Sequence, residues 1–247
     1  MTVTAAAFVP ETLPRDRRHR GWLGAVLHGF RSVLREHSFV AYMLVGAFSA
    51  FAMLGYIANA AYVLLGMNGM APLPFSLFFA STALAQVGLS ILHARLVGRF
   101  RPRELIVLGL TMSAAAAILI ALTVWLWDAA TLPLCAGFLV LMASQAFIFG
   151  HSAALAVSDV TSRAGSASAL LGIVQALALA LYAALASSGG TTTSVPMAVV
   201  IVVGVIGAAA SFNTARRASR PSHPRAANPD SARDQVTKDT SPGHVHE

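Results

Sequence analysis

The sequence predicts an all-α integral membrane protein, a bundle of six transmembrane helices. Three observations lead there. Hydrophobic residues make up 56% of the 247 residues and charged residues only 11%, against roughly 25% charged in soluble domains. Six apolar runs lie at about 38–66, 74–97, 105–127, 132–157, 165–187 and 195–214. At about 1.5 Å per residue, each is long enough to cross a hydrocarbon core of about 30 Å. Finally, if these runs are spans, all 17 Lys and Arg residues fall on one side of the membrane.

Those cations precede the first run (Arg15, Arg17, Arg18, Arg20, Arg31, Arg35) or follow the second (Arg95, Arg99, Arg101, Arg103). The others follow the fourth (Arg163) and the sixth (Arg216, Arg217, Arg220, Arg225, Arg233, Lys238). The connections near 67–73, 128–131 and 188–194 carry none. Cytoplasmic loops hold the excess of Lys and Arg, so both termini are expected in the cytoplasm. The net charge of +7 then reads as a set of orientation signals facing anionic lipid. No nucleic-acid partner is implied. Sixteen arginines against one lysine, with abundant alanine, point to a GC-rich bacterial genome and so to the inner membrane.

Along the chain, residues 1–36 form a juxtamembrane segment. Residues 1–9 lack a positive n-region and the apolar stretch Val3–Val9 is short, so no cleavable signal peptide is expected. Trp22, Leu23, Val26, Leu27, Phe30, Val33 and Leu34 recur at helical spacing, with Arg31, Arg35 and Glu36 on other faces. That is an amphipathic helix, lying at the cytoplasmic interface or packed on the ends of the spans. The transmembrane domain covers 37–214. Gly66, Gly69, Pro72 and Pro74 separate its first two spans, Pro133 opens the fourth, and Gly189, Gly190 and Pro196 bound the turn before the sixth. Residues 215–247 are polar, with mixed charge and four prolines, and read as a disordered cytoplasmic tail. His244 and His246 there are too sparse for a metal site.

No Asp, Glu, Lys or Arg sits near the middle of a span, so the usual proton carrier, an intramembrane carboxylate, is missing. Asp128 is at an outer end, and Asp159 and Arg163 stand at i,i+4 spacing beside a cytoplasmic connection. Uncharged polar residues are more telling. Gln86, Gln145 and Gln175 lie midway along the second, fourth and fifth spans, with Tyr56 at similar depth in the first. Asn59 is one turn outward of Tyr56, and His151 two turns inward of Gln145. Primary amides are costly in lipid unless they find partners or water. Their common depth on four helices predicts a shared midplane cavity, although amides can also simply join helices. The third and sixth spans have no Asn, Gln or His at that depth and are expected to face lipid. The order lining, lining, peripheral, repeated once, suggests two three-helix units in opposite orientation, the inverted repeat of secondary transporters.

Small residues Gly165, Ser168, Ala169 and Gly172, with Ala176, run along one side of the fifth span and predict close helix contact there. Gly46, Ala50 and Gly55 thin the first span, Gly55 serving either a bend or packing. The lone Cys135 supports no disulfide and no Cys-based metal site. There is no H-E-x-x-H, no G-x-S-x-G, and no acid near His151 on its own helix. Neither an enzyme nor a cofactor is expected.

Several stretches resemble the bicyclomycin/chloramphenicol-resistance (Bcr/CflA) group of the major facilitator superfamily. Glu11-Thr12-Leu13-Pro14 with the following arginines resembles that group's central cytoplasmic loop. Phe75-Ser76-Leu77-Phe78-Phe79-Ala80 resembles the start of its eighth helix, and Ala94-Arg95-Leu96 through Arg99 and Arg103 its next loop. Most specific is the run Ala164-Gly165-Ser166-Ala167-Ser168-Ala169-Leu170-Leu171-Gly172-Ile173-Val174-Gln175, close to the group's AGTASALLGxxQ signature at helix eleven. The resemblance covers roughly residues 8–214. It implies half of a major-facilitator fold, a 3+3 inverted repeat whose spans correspond to helices seven to twelve of a drug/proton antiporter. Helices seven, eight, ten and eleven line the cavity in that fold. The chain departs from the group's usual Ser-Pro at Ala60-Ala61, its Pro-Asn at Gly150-His151, and its glycine at Arg101. An imidazole at position 151 beside water could titrate near neutral pH.

The implied function is efflux of small drug-like molecules, needing a second six-helix bundle from a missing N-terminal half or a second copy of the chain. The competing expectation is a non-transporting remnant, or an accessory protein that associates with another transporter. The charge pattern generates a direct test of topology. A reporter active only outside the inner membrane should be silent when fused after Ala218 and active when fused near Gly190. The reverse pattern would overturn the assignment.

Overall fold

The computed structural model describes residues 22–96, 99–127, 129–158, 160, 163–188 and 194–218. Their helices are α1 (Trp22–Leu34), α2 (His37–Ala61), α3 (Pro72–Leu96), α4 (Pro102–Leu126), α5 (Thr131–Ser158), α6 (Ala164–Ser188) and α7 (Val195–Ala218). Helix α2 runs on through a π-helical segment, Tyr62–Met67. Six of these helices, α2 to α7, are long and apolar enough to cross a membrane. The chain is an all-α, multi-pass membrane protein. Each observed span lies within a few residues of its expected position, and α7 continues through residues 215–218, which the sequence had assigned to the tail. Residues 1–21, the connection 189–193, Asp128, Asp159 and the tail from 219 onward lie outside the described residues.

The ends of the helices follow their local chemistry. Pro72 and Pro102 open α3 and α4, where a missing backbone N–H costs nothing. Glu104 accepts the N–H of Arg101 at 3.2 Å, satisfying one of the free donors of that end. Away from the arginines, Asn68 ties two connections together. Its amide donates to the Ala129 carbonyl at 2.8 Å and to the Thr131 hydroxyl at 3.0 Å. Ala129 is held there in the left-handed region, φ 58°.

The packing has an internal symmetry. Helices α2 and α5 touch at the centre. Helix α7 packs on α2 and α4 packs on α5, and α4 also meets α7. Helix α6 flanks α2 and α3 flanks α5. Exchanging α2–α3–α4 with α5–α6–α7 maps every one of these pairs onto another or onto itself, as a 3+3 repeat requires.

Lipid tails are as apolar as leucine, so helices in a bilayer associate by close packing and hydrogen bonds. Glycine supplies the close packing at two related crossings. A Cβ on Gly204 of α7 would stand 2.8 Å from the Ala52 backbone nitrogen and 2.9 Å from the Phe48 carbonyl of α2. On Gly109 of α4, a Cβ would stand 2.8 Å from Ile148 Cγ1 and 3.2 Å from the Ser144 carbonyl of α5. Gly55 is likewise a packing site, since a Cβ there would lie 3.0 Å from Ile201 Cγ1, and α2 passes through it unbroken.

Two expectations are corrected. The small-residue side of α6 is not a contact within this chain. Gly165, Ser168, Ala169 and Gly172 are exposed, and a Cβ on either glycine would meet nothing within 4 Å. The packed face of α6 runs instead through Ala167, Leu170 and Tyr182. Nor are the third and sixth spans the least covered. In its most apolar window α4 is 50% buried and α7 44%, against 6% for α3 and 17% for α6. The reason is geometric: α4 and α7 each brace a central helix and one another, whereas α3 and α6 each pack mainly against a single central helix.

Helix α1 packs on α6 and α2, with Val33 fully buried. His28, Arg31 and Arg35 are exposed, and the Arg163 guanidinium donates to the Ser32 hydroxyl. Of the two placements open for this helix, contact with the ends of the spans is observed.

The glycine assignments predict opposite effects on stability in detergent. Gly204→Ala should lose about 1–3 kcal/mol through overpacking. Gly172→Ala should be neutral or gain up to about 1 kcal/mol from helix propensity. Thermal unfolding of the two variants checks both.

Candidate functional site

The polar residues of the spans fall into three cross-helix groups. In the first, Tyr56 of α2 is buried to 1% exposure, its ring stacked on Phe79 at 5.9 Å and tilted on Phe138 at 4.6 Å. Its hydroxyl lies 3.3 Å from Thr82 Oγ1 of α3. Because Thr82 donates to the Phe79 carbonyl at 2.7 Å, Tyr56 is the donor to Thr82. Thr82 is the fully enclosed residue of α3, so this bond and the two phenyl rings seat α3 against the core.

The second group seats the other flank. The Asn59 amide donates to the Gly55 carbonyl at 2.9 Å and also to the Tyr182 hydroxyl of α6. Tyr182 in turn meets Phe51 edge to face at 5.9 Å. The third group lies nearer the arginine-bearing end. His151 of α5 and His93 of α3 approach Nε2 to Nε2 at 2.5 Å.

Gln145 of α5 is fully buried. Its amide nitrogen reaches only the Leu141 carbonyl, at 3.4 Å, and its Oε1 has no partner among the described residues. Gln86 is half-buried on α3 and Gln175 is exposed on α6. The four midplane residues therefore do not line one open cavity within the chain. Tyr56 and Gln145 are closed into the central pair. Gln86 and Gln175 stand on the flanking helices, α3 packed on α5 and α6 packed on α2. Similar depth on separate helices does not specify similar azimuth, which is what the expectation lacked.

Elsewhere, Arg95, Arg99 and Arg103 are exposed at the end expected to be cytoplasmic. The Arg163 guanidinium donates to the Ser32 hydroxyl; Asp159, its expected partner, lies outside the described residues. A cavity of about 630 Å³ forms a crevice between α2, α6 and α7, bounded by Phe48, Phe51, Leu177, Leu181, Val199 and Val203 among others. Its lining is wholly apolar, and none of the six expected cavity residues belongs to it. It could take an alkyl chain or an aromatic ring, and nothing in it would orient a charge. Thr82, Tyr182 and this crevice were not singled out from sequence. No motif marks them, because their roles come from neighbours more than twenty residues away.

No family model matches the chain. It is similar to an uncharacterised MFS-type transporter, YdgK of Bacillus subtilis (strain 168), with 29% identity over 214 residues, 86% of this chain and 52% of the relative. It is also similar to the multidrug resistance protein MdtL of Shewanella sp. (strain ANA-3), with 29% identity over 181 residues, 73% of this chain and 42% of the relative. The chain spans about half the length of the curated relatives it matches. These similarities are to transporters.

The unpartnered Gln145 carbonyl makes a prediction. Replacing both its polar groups with an apolar chain of similar shape removes an unmet hydrogen bond, so Gln145→Met should leave stability unchanged or raise it by about 1 kcal/mol. Thermal unfolding reads this. A large loss would show that Oε1 has a partner in the membrane.

Proposed function

We propose that this chain is one six-helix bundle of a Bcr/CflA-type efflux transporter for drug-like small molecules, working by proton antiport with a second six-helix bundle. It resides in the bacterial inner membrane with both termini in the cytoplasm. The observation that carries the reading is the state of α3 and α6. They are the least covered spans, at 6% and 17% of their most apolar windows, yet each presents a mid-depth glutamine, Gln86 and Gln175, outside the closed core. A primary amide turned to hydrocarbon is costly. Covering these flanks with a second bundle would remove that cost and enclose a polar site at the midplane. Tyr56, Asn59, Gln86, Gln145, His151 and Gln175 would then serve the site, the first two and Gln145 by holding its walls. Similarity to full-length transporters about twice as long supports the same division.

The second bundle is an N-terminal half or another copy of this chain, and alternating access would rock one bundle against the other. The small-residue side of α6, open within this chain, suits such a contact. The lack of any acid in the middle of the spans favours a second reading, a non-transporting protein associated with a transporter.

On the leading reading, the purified chain in proteoliposomes under an imposed pH gradient should move ethidium no faster than empty vesicles. In a Cys135→Ser background, Gln86→Cys and Gln175→Cys should react with a water-soluble maleimide in cells that carry the second bundle, and Gln145→Cys should not. Gradient-driven ethidium efflux by the chain alone would establish a self-sufficient half-size transporter instead. Equal labelling of all three positions would remove the polar site.

A further inference from the structure

Among the described residues, the only two titratable rings of the spans in direct contact are His93 and His151. The rings meet edge to face, centroids 4.3 Å apart, with the Nε2 atoms 2.5 Å apart. His93 also sits edge-on to Phe147 at 5.6 Å. His151 is buried at 7% exposure, while His93 is half-buried in the last turn of α3. Helix α3 has few other anchors. It packs on α5 and on the π-helical end of α2. Tyr56–Thr82 fastens it at mid-depth, and the imidazole pair fastens it at the arginine-bearing end.

We propose that His93 and His151 form a proton-binding site that latches α3 to α5 and releases it when both rings are protonated. The role in coupling rests on the transport reading above; the latch itself does not.

The proton count follows from imidazole chemistry. An Nε2-to-Nε2 hydrogen bond needs one Nε2–H and one bare Nε2. In the neutral pair, one ring therefore carries its hydrogen on Nε2 and the other on Nδ1. A first added proton goes to the free Nδ1 of the donor ring. That ring becomes an imidazolium and the shared bond becomes charge-assisted, so the latch tightens. A second proton has only the acceptor's Nε2 left to bind. Both Nε2 atoms then carry hydrogen, no acceptor remains, and two like charges face one another. The pair must part.

Among the described residues, no group offsets that repulsion. On α3 itself the next charge is Arg95. Helix α4, packed on α5, brings Arg103 and Glu104, and Glu104 is engaged with the Arg101 backbone. Helix α2 brings Tyr42, whose hydroxyl is buried. Just before α6, Arg163 holds Ser32. Among the described residues, no carboxylate pairs with either ring. Protons would arrive at the half-exposed His93 from water on that side. The site thus supplies a titratable group that a bundle without intramembrane acids otherwise lacks.

The test reads the α3–α5 distance directly. Ala94 and Ala154 are exposed, one beside each histidine on its helix. Spin labels on Ala94→Cys and Ala154→Cys, in a Cys135→Ser background, are measured in lipid nanodiscs at about pH 8 and about pH 5. One short distance is expected at the higher pH and a longer major population at the lower. His93→Gln and His151→Gln should each abolish the pH response. Should the buried His151→Gln fail to elute as a folded species, the half-exposed His93→Gln carries the test. An identical distribution at both pH values overturns the latch, as does a shift that survives His93→Gln. The measurement uses neither substrate nor second bundle. Its failure leaves the transport reading standing, and an absence of ethidium transport leaves the latch standing.

Discussion

Inside a bilayer no water is available to complete a hydrogen bond, and that constraint organises this molecule. Helices satisfy the backbone within each span. Hydroxyls and amides must then find partners on their own helix or on a neighbour. Ser81, Thr123, Ser144, Ser152 and Ser211 return to carbonyls three or four residues back. Tyr56, Asn59 and His151 reach across, to Thr82, Tyr182 and His93. Because apolar burial contributes little between helices in lipid, these few bonds, together with the contacts at Gly109 and Gly204, carry much of the helix–helix specificity.

The repeat gives those bonds a common plan. The close glycine crossings join each central helix to a bracing helix of the other repeat, α2 to α7 and α5 to α4. The cross-helix hydrogen bonds seat the flanking helices, α3 by Tyr56–Thr82 and His93–His151, α6 by Asn59–Tyr182. Bracing helices are thereby half enclosed and flanking helices are left broadly uncovered. The apolar crevice between α2, α6 and α7 lies on one such flank, where an alkyl chain or an aromatic ring could rest.

Gln145 shows the cost of the arrangement. Its amide sits at the contact of the central pair with one oxygen unmet. A buried carbonyl without a partner typically costs about 1–3 kcal/mol, so Gln145 is a place where the packed core gives up stability. The proposed latch has the same character. Two imidazoles in contact are stable only while they share a hydrogen, which makes α3 the flank whose attachment can respond to protons.

By itself, the sequence determined the class, the number of spans and their limits. Hydrophobic length is a local property, set by bilayer thickness and read residue by residue, so six runs became six helices ending within a few positions of expectation. The helix from Trp22 to Leu34 was legible for the same reason. The tertiary structure alone decided azimuth. Depth follows from counting along a helix, but direction depends on how each helix rotates about its axis, and in an all-round apolar helix no hydrophobic stripe fixes that rotation. It placed Tyr56 and Gln145 inside the central pair and turned the small-residue side of α6 outward. It also brought His93 against His151 across 58 positions of sequence. Rotation was settled by contacts between distant residues, glycine against backbone and hydroxyl against hydroxyl, and those exist only once the helices have packed.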